Sequence, residues 1–221
     1  VNQAQLAIQV LNQLDISTTP ELIQQLNLAQ QNGFIQRCRT ISIALHQHIG
    51  NKLTHSLENH PSDMVRCWAI LWPQSSTSTI ESELDRLQPF ADDSHFSVRE
   101  MAWLAIRPFI VQQPILSIQL LLPWTISEKE NLRRFASEST RPRGVWCAHI
   151  PELKANPELG LPLLENLMTD PSIYVQNSVA NWLNDAGKSR PGFLIACRQR
   201  WIQKDNKSTQ YILKRGLRNL K

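Results

Sequence analysis

The chain has 221 residues, 42% of them hydrophobic, which suits a folded chain with a real core and excludes a disordered one. No apolar run approaches the roughly 18–20 residues that span a bilayer; the longest candidate, residues 115–124, is short and contains Pro123. Charge divides the chain: residues 131–221 hold 15 Lys and Arg against 7 Asp and Glu, a net of +8, whereas residues 1–130 carry a net of −4. A half that basic points to an anionic partner, nucleic acid first and a membrane surface second, or to ordinary solvated side chains.

The opening stretch VNQAQLAIQV lacks the basic flank of a signal peptide, so none is expected. From there on the periodicity is helical. Stretches such as ELIQQLNLAQQ (21–31) and LPLLENLMTD (161–170) place apolar residues at i, i+3 and i+4. Alternating runs of Val, Ile and Thr, the mark of strands, are nearly absent. Pro, Gly, Asn and Asp separate the helical segments.

A weak repeat runs along them: IQRCR (35–39), VRCWA (65–69), VREMA (98–102), LRRFA (132–136) and VQNSV (175–179). The steps between first residues are 30, 33, 34 and 43. A period of that size in an all-α chain predicts stacked helix pairs of the HEAT kind, in which neighbours share a core that no pair could bury alone. The expected fold is therefore an α-solenoid of HEAT-like helix pairs, curved, with a concave basic groove. One domain would cover residues 1–221, with N-terminal helical repeats over 1–94 and motif-bearing repeats over 95–221. Val65, Val98, Leu132 and Val175 read as core. Ala69, Ala102 and Ala136 read as points of close helix approach. Arg66, Arg99, Arg133 and Gln176 recur at one place, either as a polar ladder on the concave face or as salt bridges between repeats.

Cys38, Cys67, Cys147 and Cys197 stand far apart, with no CxxC pair. His46 and His48 are two apart and fall on different helix faces. No metal or other cofactor is expected, and scattered thiols fit a reducing cytoplasm.

Three carboxylates sit in unusual company. Glu100 lies in FSVREMAWLAIRPF (96–109), as a surface acid paired with a neighbouring arginine or as a site residue. Glu138 lies in RRFASESTRPRGVW (133–146), four after Arg134 and three before Arg141, so both guanidinium groups can reach it on a helix ending before Pro142. That arrangement is either an intrahelical ion pair or an acid held ionised and aimed. Asp185 lies near a helix end expected at Gly187, where a left-handed glycine would terminate it and where the macrodipole disfavours an acid. It marks either a plain Asn-Asp turn or a functional position. Of seven tryptophans, Trp68 and Trp72 read as core, and Trp146, directly after the basic stretch in a loop or helix start, reads as the best candidate for a groove position, its indole able to stack on a base or attract a cation.

The runs LRRFASESTRPRGVW, DPSIYVQNSVANWLNDAGKSRP and YILKRGLRNLK resemble the bacterial AlkC branch of the DNA alkylation repair family, HEAT-like-repeat DNA glycosylases related to AlkD. The resemblance covers residues 95–221 and departs from the family pattern at Val145 and Cys147, at Trp182 and at Gly216. It implies hydrolysis of the N-glycosidic bond of cationic N-alkylated bases, 3-methyladenine favoured, in duplex DNA. It implies Glu138, Asp185 and Glu100 as catalytic acids, with Trp146 and Arg141 shaping the same pocket. The DNA contacts expected beside them are Arg134, Arg143, Lys188, Arg190 and Arg215. A monomer acting on nucleoid DNA, with no obligate protein partner and no membrane, is expected. A DNA-binding paralogue without excision and a HEAT-type protein scaffold are the competing readings.

Overall fold

Prolines start helices here more often than they break them. The computed structural model describes residues 2–52 and 54–220, and among these every regular element is helical, with no strand. Pro20, Pro114, Pro151 and Pro191 each stand at the start of a helix, where the missing N–H costs nothing and the fixed φ suits the turn. Asn2, Thr19, Ser172 and Asn206 cap others through their side chains, and Thr79 and Ser82 form a reciprocal capping box. The all-α repeat class expected from periodicity is the class observed. No helix among the described residues is long and apolar enough to cross a membrane.

The chain forms two compact units, Val1–Ser78 with His95–Ala102, and Thr79–Ser94 with Trp103–Lys221. In the first, α1 (Gln3–Gln13), α2 (Pro20–Ala29), α3 (Phe34–Ile49), α4 (Thr54–Glu58) and α5 (Asp63–Ile70) pack together. Its centre is Trp68, fully buried, whose indole N–H donates to the buried Gln3 side chain at 3.1 Å.

The second unit holds α6 (Ile80–Ala91), α8 (Pro114–Leu121), α9 (Glu130–Ser139), α10 (Pro151–Ala155), α11 (Leu161–Leu167), α12 (Ile173–Gly187), α13 (Pro191–Trp201) and α14 (Lys207–Gly216). Helix α7 (Phe96–Gln112) carries residues of both units. Helix α12 is the hub of the second unit, packed on α9, α11, α13 and α14. Small residues make this possible. A Cβ on Gly216 would come within 3.1 Å of Leu183, and Ala136 and Ala180 are fully buried. Val65, Val98, Leu132 and Val175 are all buried, as are Ala69 and Ala102.

The repeated polar position serves a purpose beyond the two expected, and at Arg133 it also makes the salt bridge between repeats that was one of them. It is the fourth residue of its helix, and its side chain leans back toward the N-terminus onto the loop before it. Arg66 donates to the carbonyls of His60 and Pro61, Arg133 to those of Ser127 and Glu128, and Gln176 to that of Asp170. In the first repeat this role falls to Arg37, which donates to Asn32 O. The register IQRCR is thus one residue early, because α3 begins at Phe34 and its fourth residue is Arg37. Arg133 adds the inter-repeat ion pair, bidentate to Asp170 at 2.6 and 3.1 Å.

Gly160 lies against the Trp182 ring, where an added Cβ would come within 2.4 Å of it. Trp182 is fully buried and its N–H is bonded to Thr140 Oγ1 at 3.2 Å, so the ring has no room to retreat. Gly160→Ala is expected to destabilise the protein by about 1–3 kcal/mol through overpacking, read from urea unfolding midpoints.

Candidate active site

Helix α9 ends at Ser139, with Thr140 at its cap, because Arg141 precedes proline and is pushed out of the helical region. This stop turns the Arg141 side chain back toward α9 and across to α12. Its Nη1 donates to Glu138 Oε1 at 2.5 Å, and its Nε and Nη2 donate to Asp185 Oδ2 at 2.9 and 2.7 Å. One guanidinium therefore bridges two carboxylates 47 residues apart in sequence. Glu138 and Asp185 are 4% and 3% exposed, and Arg141 is 9% exposed.

The remaining oxygens are also held. Ser178, from α12, donates to Glu138 Oε2 at 2.7 Å, and Arg134 Nη2 stands 3.7 Å from the same atom. Lys188 Nζ reaches Asp185 Oδ1 at 3.1 Å, one turn further along α12. Burial pushes the Glu138 carboxyl up, but the guanidinium groups of Arg134 and Arg141 and the Ser178 hydroxyl outweigh it and hold it below the ordinary range. Arg141 is pushed down by burial and up, in the balance, by its two carboxylates. Glu138 is thus both an intrahelical partner of Arg134 and an acid held ionised, with Arg141 reaching it from beyond the helix end.

Beyond Arg141 the chain makes an irregular loop, closed by Ile150 N–H donating to Pro142 O. Trp146 stands in it with φ +61° and its side chain 79% exposed. A left-handed backbone at tryptophan costs on the order of 1 kcal/mol, so the flanking loop must hold it. Arg143 donates to Ser189 Oγ at 2.6 Å, joining this loop to the residues after α12.

Along α12 a row of polar side chains meets neighbouring groups. Arg134 lies 4.4 Å above the Tyr174 ring, Tyr211 donates to Asn177, and Arg218 donates to Asn181. With Ser178 and Asp185 these residues recur every three or four positions, so they share one helix face.

No family model matches the chain. Over 192 residues it is 32% identical to YhaZ of Bacillus subtilis, an uncharacterized protein, a match that covers 84% of this chain and 52% of YhaZ. The fold matches the Pseudomonas fluorescens alkylpurine DNA glycosylase AlkC, in a structure bound to DNA containing an abasic site analog. The TM-score is 0.65 and the identity 25%, over 90% of this chain and 56% of AlkC. In fold the chain is similar to the AlkC/AlkD DNA glycosylases. It spans about half the length of YhaZ and of AlkC. AlkD2 of Streptococcus mutans shares the fold, with a TM-score of 0.69 at 19% identity over 90% of this chain and 98% of AlkD2.

The structure brings Glu138, Asp185, Arg134, Arg141 and Lys188 into one network. Arg190 is engaged elsewhere, with Glu158 at 3.0 Å and with the Ala155 carbonyl. Arg215 stacks over Tyr211 on α14. Glu100 belongs to the first compact unit. The expected left-handed glycine is not there. Gly187 keeps a helical backbone, and its missing Cβ instead admits Leu194, whose Cδ2 an added methyl would meet at 2.6 Å. Nor do Asn184 and Asp185 form a turn. Both are buried within α12, with Asn184 donating to the carbonyl of Gly216.

Sequence reasoning missed Ser178, Tyr174 and the buried Arg107. The first two were findable, standing seven and eleven residues before Asp185 on the same helix face. Among the described residues no group of three or more His, Cys, Asp or Glu could hold a metal ion.

Because the folded Glu138 pKa is depressed, the stability it contributes is complete above the ordinary value of 4.5 and is lost as pH falls through the lower folded value. Glu138→Gln is expected to cost about 3 kcal/mol at pH 7, where Arg141 loses a buried partner. The gap to the parent should narrow as pH drops below about 4, a range set by the ordinary glutamate pKa. Urea unfolding of both proteins across pH 3–7 checks this.

Proposed function

We propose that the protein is a DNA glycosylase that hydrolyses the N-glycosidic bond of cationic N-alkylated bases in duplex DNA, 3-methyladenine favoured. The observation that carries this reading is the pair of buried, guanidinium-bridged carboxylates Glu138 and Asp185 beside an exposed tryptophan loop. The likeness to AlkC, solved on DNA containing an abasic site analog, supports the same reading.

Alkylation at a purine ring nitrogen gives the base a positive charge, so it leaves neutral and needs no general acid. As the C1′–N bond breaks, its electron pair stays with the base and positive charge grows on the deoxyribose. Fixed negative charge near C1′ stabilises that transition state more than the ground state. Water then adds to C1′ and gives up its proton to a carboxylate. Asp185 Oδ1 is the oxygen best placed to face this charge, since its partner among the described residues is the half-exposed Lys188 ammonium, which the cationic substrate can replace. Trp146 would pack on the sugar or the charged base through its π face. Arg134, Arg143, Lys188, Arg190 and Arg215 would grip phosphates without reading sequence. The enzyme would work as a monomer on nucleoid DNA in the cytoplasm.

A second reading, a DNA binder without excision, has one observation in its favour. All four oxygens of Glu138 and Asp185 already hold a cation or a hydroxyl.

Base release from methylated duplex DNA, resolved by chromatography, separates the two. The parent is expected to release 3-methyladenine. Asp185→Asn and Glu138→Gln are expected to cut the single-turnover rate by about tenfold to a hundredfold while DNA binding is kept. Parental rates in both variants would remove these acids from the mechanism. No release by the parent, with DNA binding that weakens steeply with salt, would establish the second reading.

A further inference from the structure

We infer that Arg107 is a positioning residue for this site, a role that rests on the glycosylase reading above. Arg107 stands on the part of α7 that belongs to the second unit, and it is 2% exposed. A buried guanidinium needs partners for its donors, and each of the three nitrogens of Arg107 finds one on a single segment of backbone. Nη1 donates to Ser139 O at 2.7 Å, Nη2 to Arg141 O at 2.6 Å and Nε to Ala148 O at 3.0 Å.

Those carbonyls bracket the functional segment. Ser139 is the last residue of α9, Arg141 is the bridge between the two carboxylates, and Ala148 lies two residues beyond Trp146. The carbonyls at 139 and 141 follow a helix stop and receive no continuing helical N–H, so a guanidinium supplies what the helix cannot. Held at both ends, the loop keeps Trp146 in its left-handed conformation and Arg141 in register with Glu138 and Asp185. Gly144 completes the clamp. An added Cβ would come within 2.2 Å of Cys147 Sγ and 3.4 Å of the Arg107 guanidinium.

Geometry, not charge, sets this role. The three acceptors are met by three different nitrogens of one rigid plane, which the single ammonium of lysine cannot reproduce. A residue acting through charge alone would tolerate lysine.

The test compares the parent with Arg107→Lys, Arg107→Met and Gly144→Ala. Gly144→Ala disturbs the clamp without stranding a buried group, which keeps the idea testable if the Arg107 variants fail to fold. Three quantities are read: the single-turnover rate of 3-methyladenine release, the Kd for methylated duplex, and the rate of trypsin cleavage after Arg143. The rate is expected to fall roughly tenfold to a hundredfold in every folded variant, lysine included, as a displacement of about 1 Å at a site allows. Kd should stay within about twofold, because binding rests on phosphate contacts spread over the surface. Cleavage after Arg143 should accelerate. Parental release by Arg107→Lys or Gly144→Ala would overturn the positioning role, as would a loss confined to Kd. If the parent itself releases no base, the positioning role of Arg107 in catalysis falls with the glycosylase reading. Trypsin cleavage then decides on its own whether Arg107 holds the loop.

Discussion

Everything at the candidate site depends on one buried guanidinium. Glu138 and Asp185 come from different helices, and each would face a large desolvation penalty as an anion without a partner. Arg141 removes that penalty for both at once, donating to Glu138 with one nitrogen and to Asp185 with two. Its reach to both follows from a local event, the stop of α9 ahead of Pro142. A helix continuing past residue 141 would carry the side chain around the axis and away from α12. The buried Ser178 hydroxyl on α12 fixes the other Glu138 oxygen, so the two packed helices are joined through polar contacts as well.

The parts of this arrangement that obey short-range rules were legible in the sequence. Arg134 and Glu138 stand four apart, so helical geometry brings them together, and Arg141, three further on, reaches back from just beyond the helix stop. Asp185 was legible as a broken rule, an acid at the negative end of a helix, and Arg141 and Lys188 are the compensation that the broken rule demanded. The class of fold followed from a repeat whose apolar positions Val65, Val98, Leu132 and Val175 are all buried. What escaped notice depends on distant contacts. Arg107 sits beside a proline in a helix and has the look of a surface residue, yet its partners lie 32 to 41 residues away. Gly187 was read as a helix stop because glycine serves that purpose so often, whereas its missing side chain is needed for Leu194. The repeated arginines pose the same difficulty: sequence locates the ladder, but only the helix start defines which residue is fourth and so which loop it can reach.

Electrostatics gives the arrangement a further logic. A bare carboxylate pair on a DNA-facing surface would repel phosphates, and a bare cation cluster could not stabilise positive charge on a sugar. Here two acids are set among Arg107, Arg134, Arg141 and Lys188, so the cluster as a whole is cationic while its centre is locally negative. At long range the excess positive charge attracts a polyanion. At contact range, in a dry surrounding, the field of the nearest oxygens dominates, because interaction energy rises as distance and dielectric fall. In the reading proposed here, that separation of ranges lets one surface bind DNA and still favour a cationic transition state. It also accounts for the burial of the acids. A solvated carboxylate would have to reorganise its water as charge develops, whereas one already fixed by Arg141 and Ser178 is oriented before the substrate arrives.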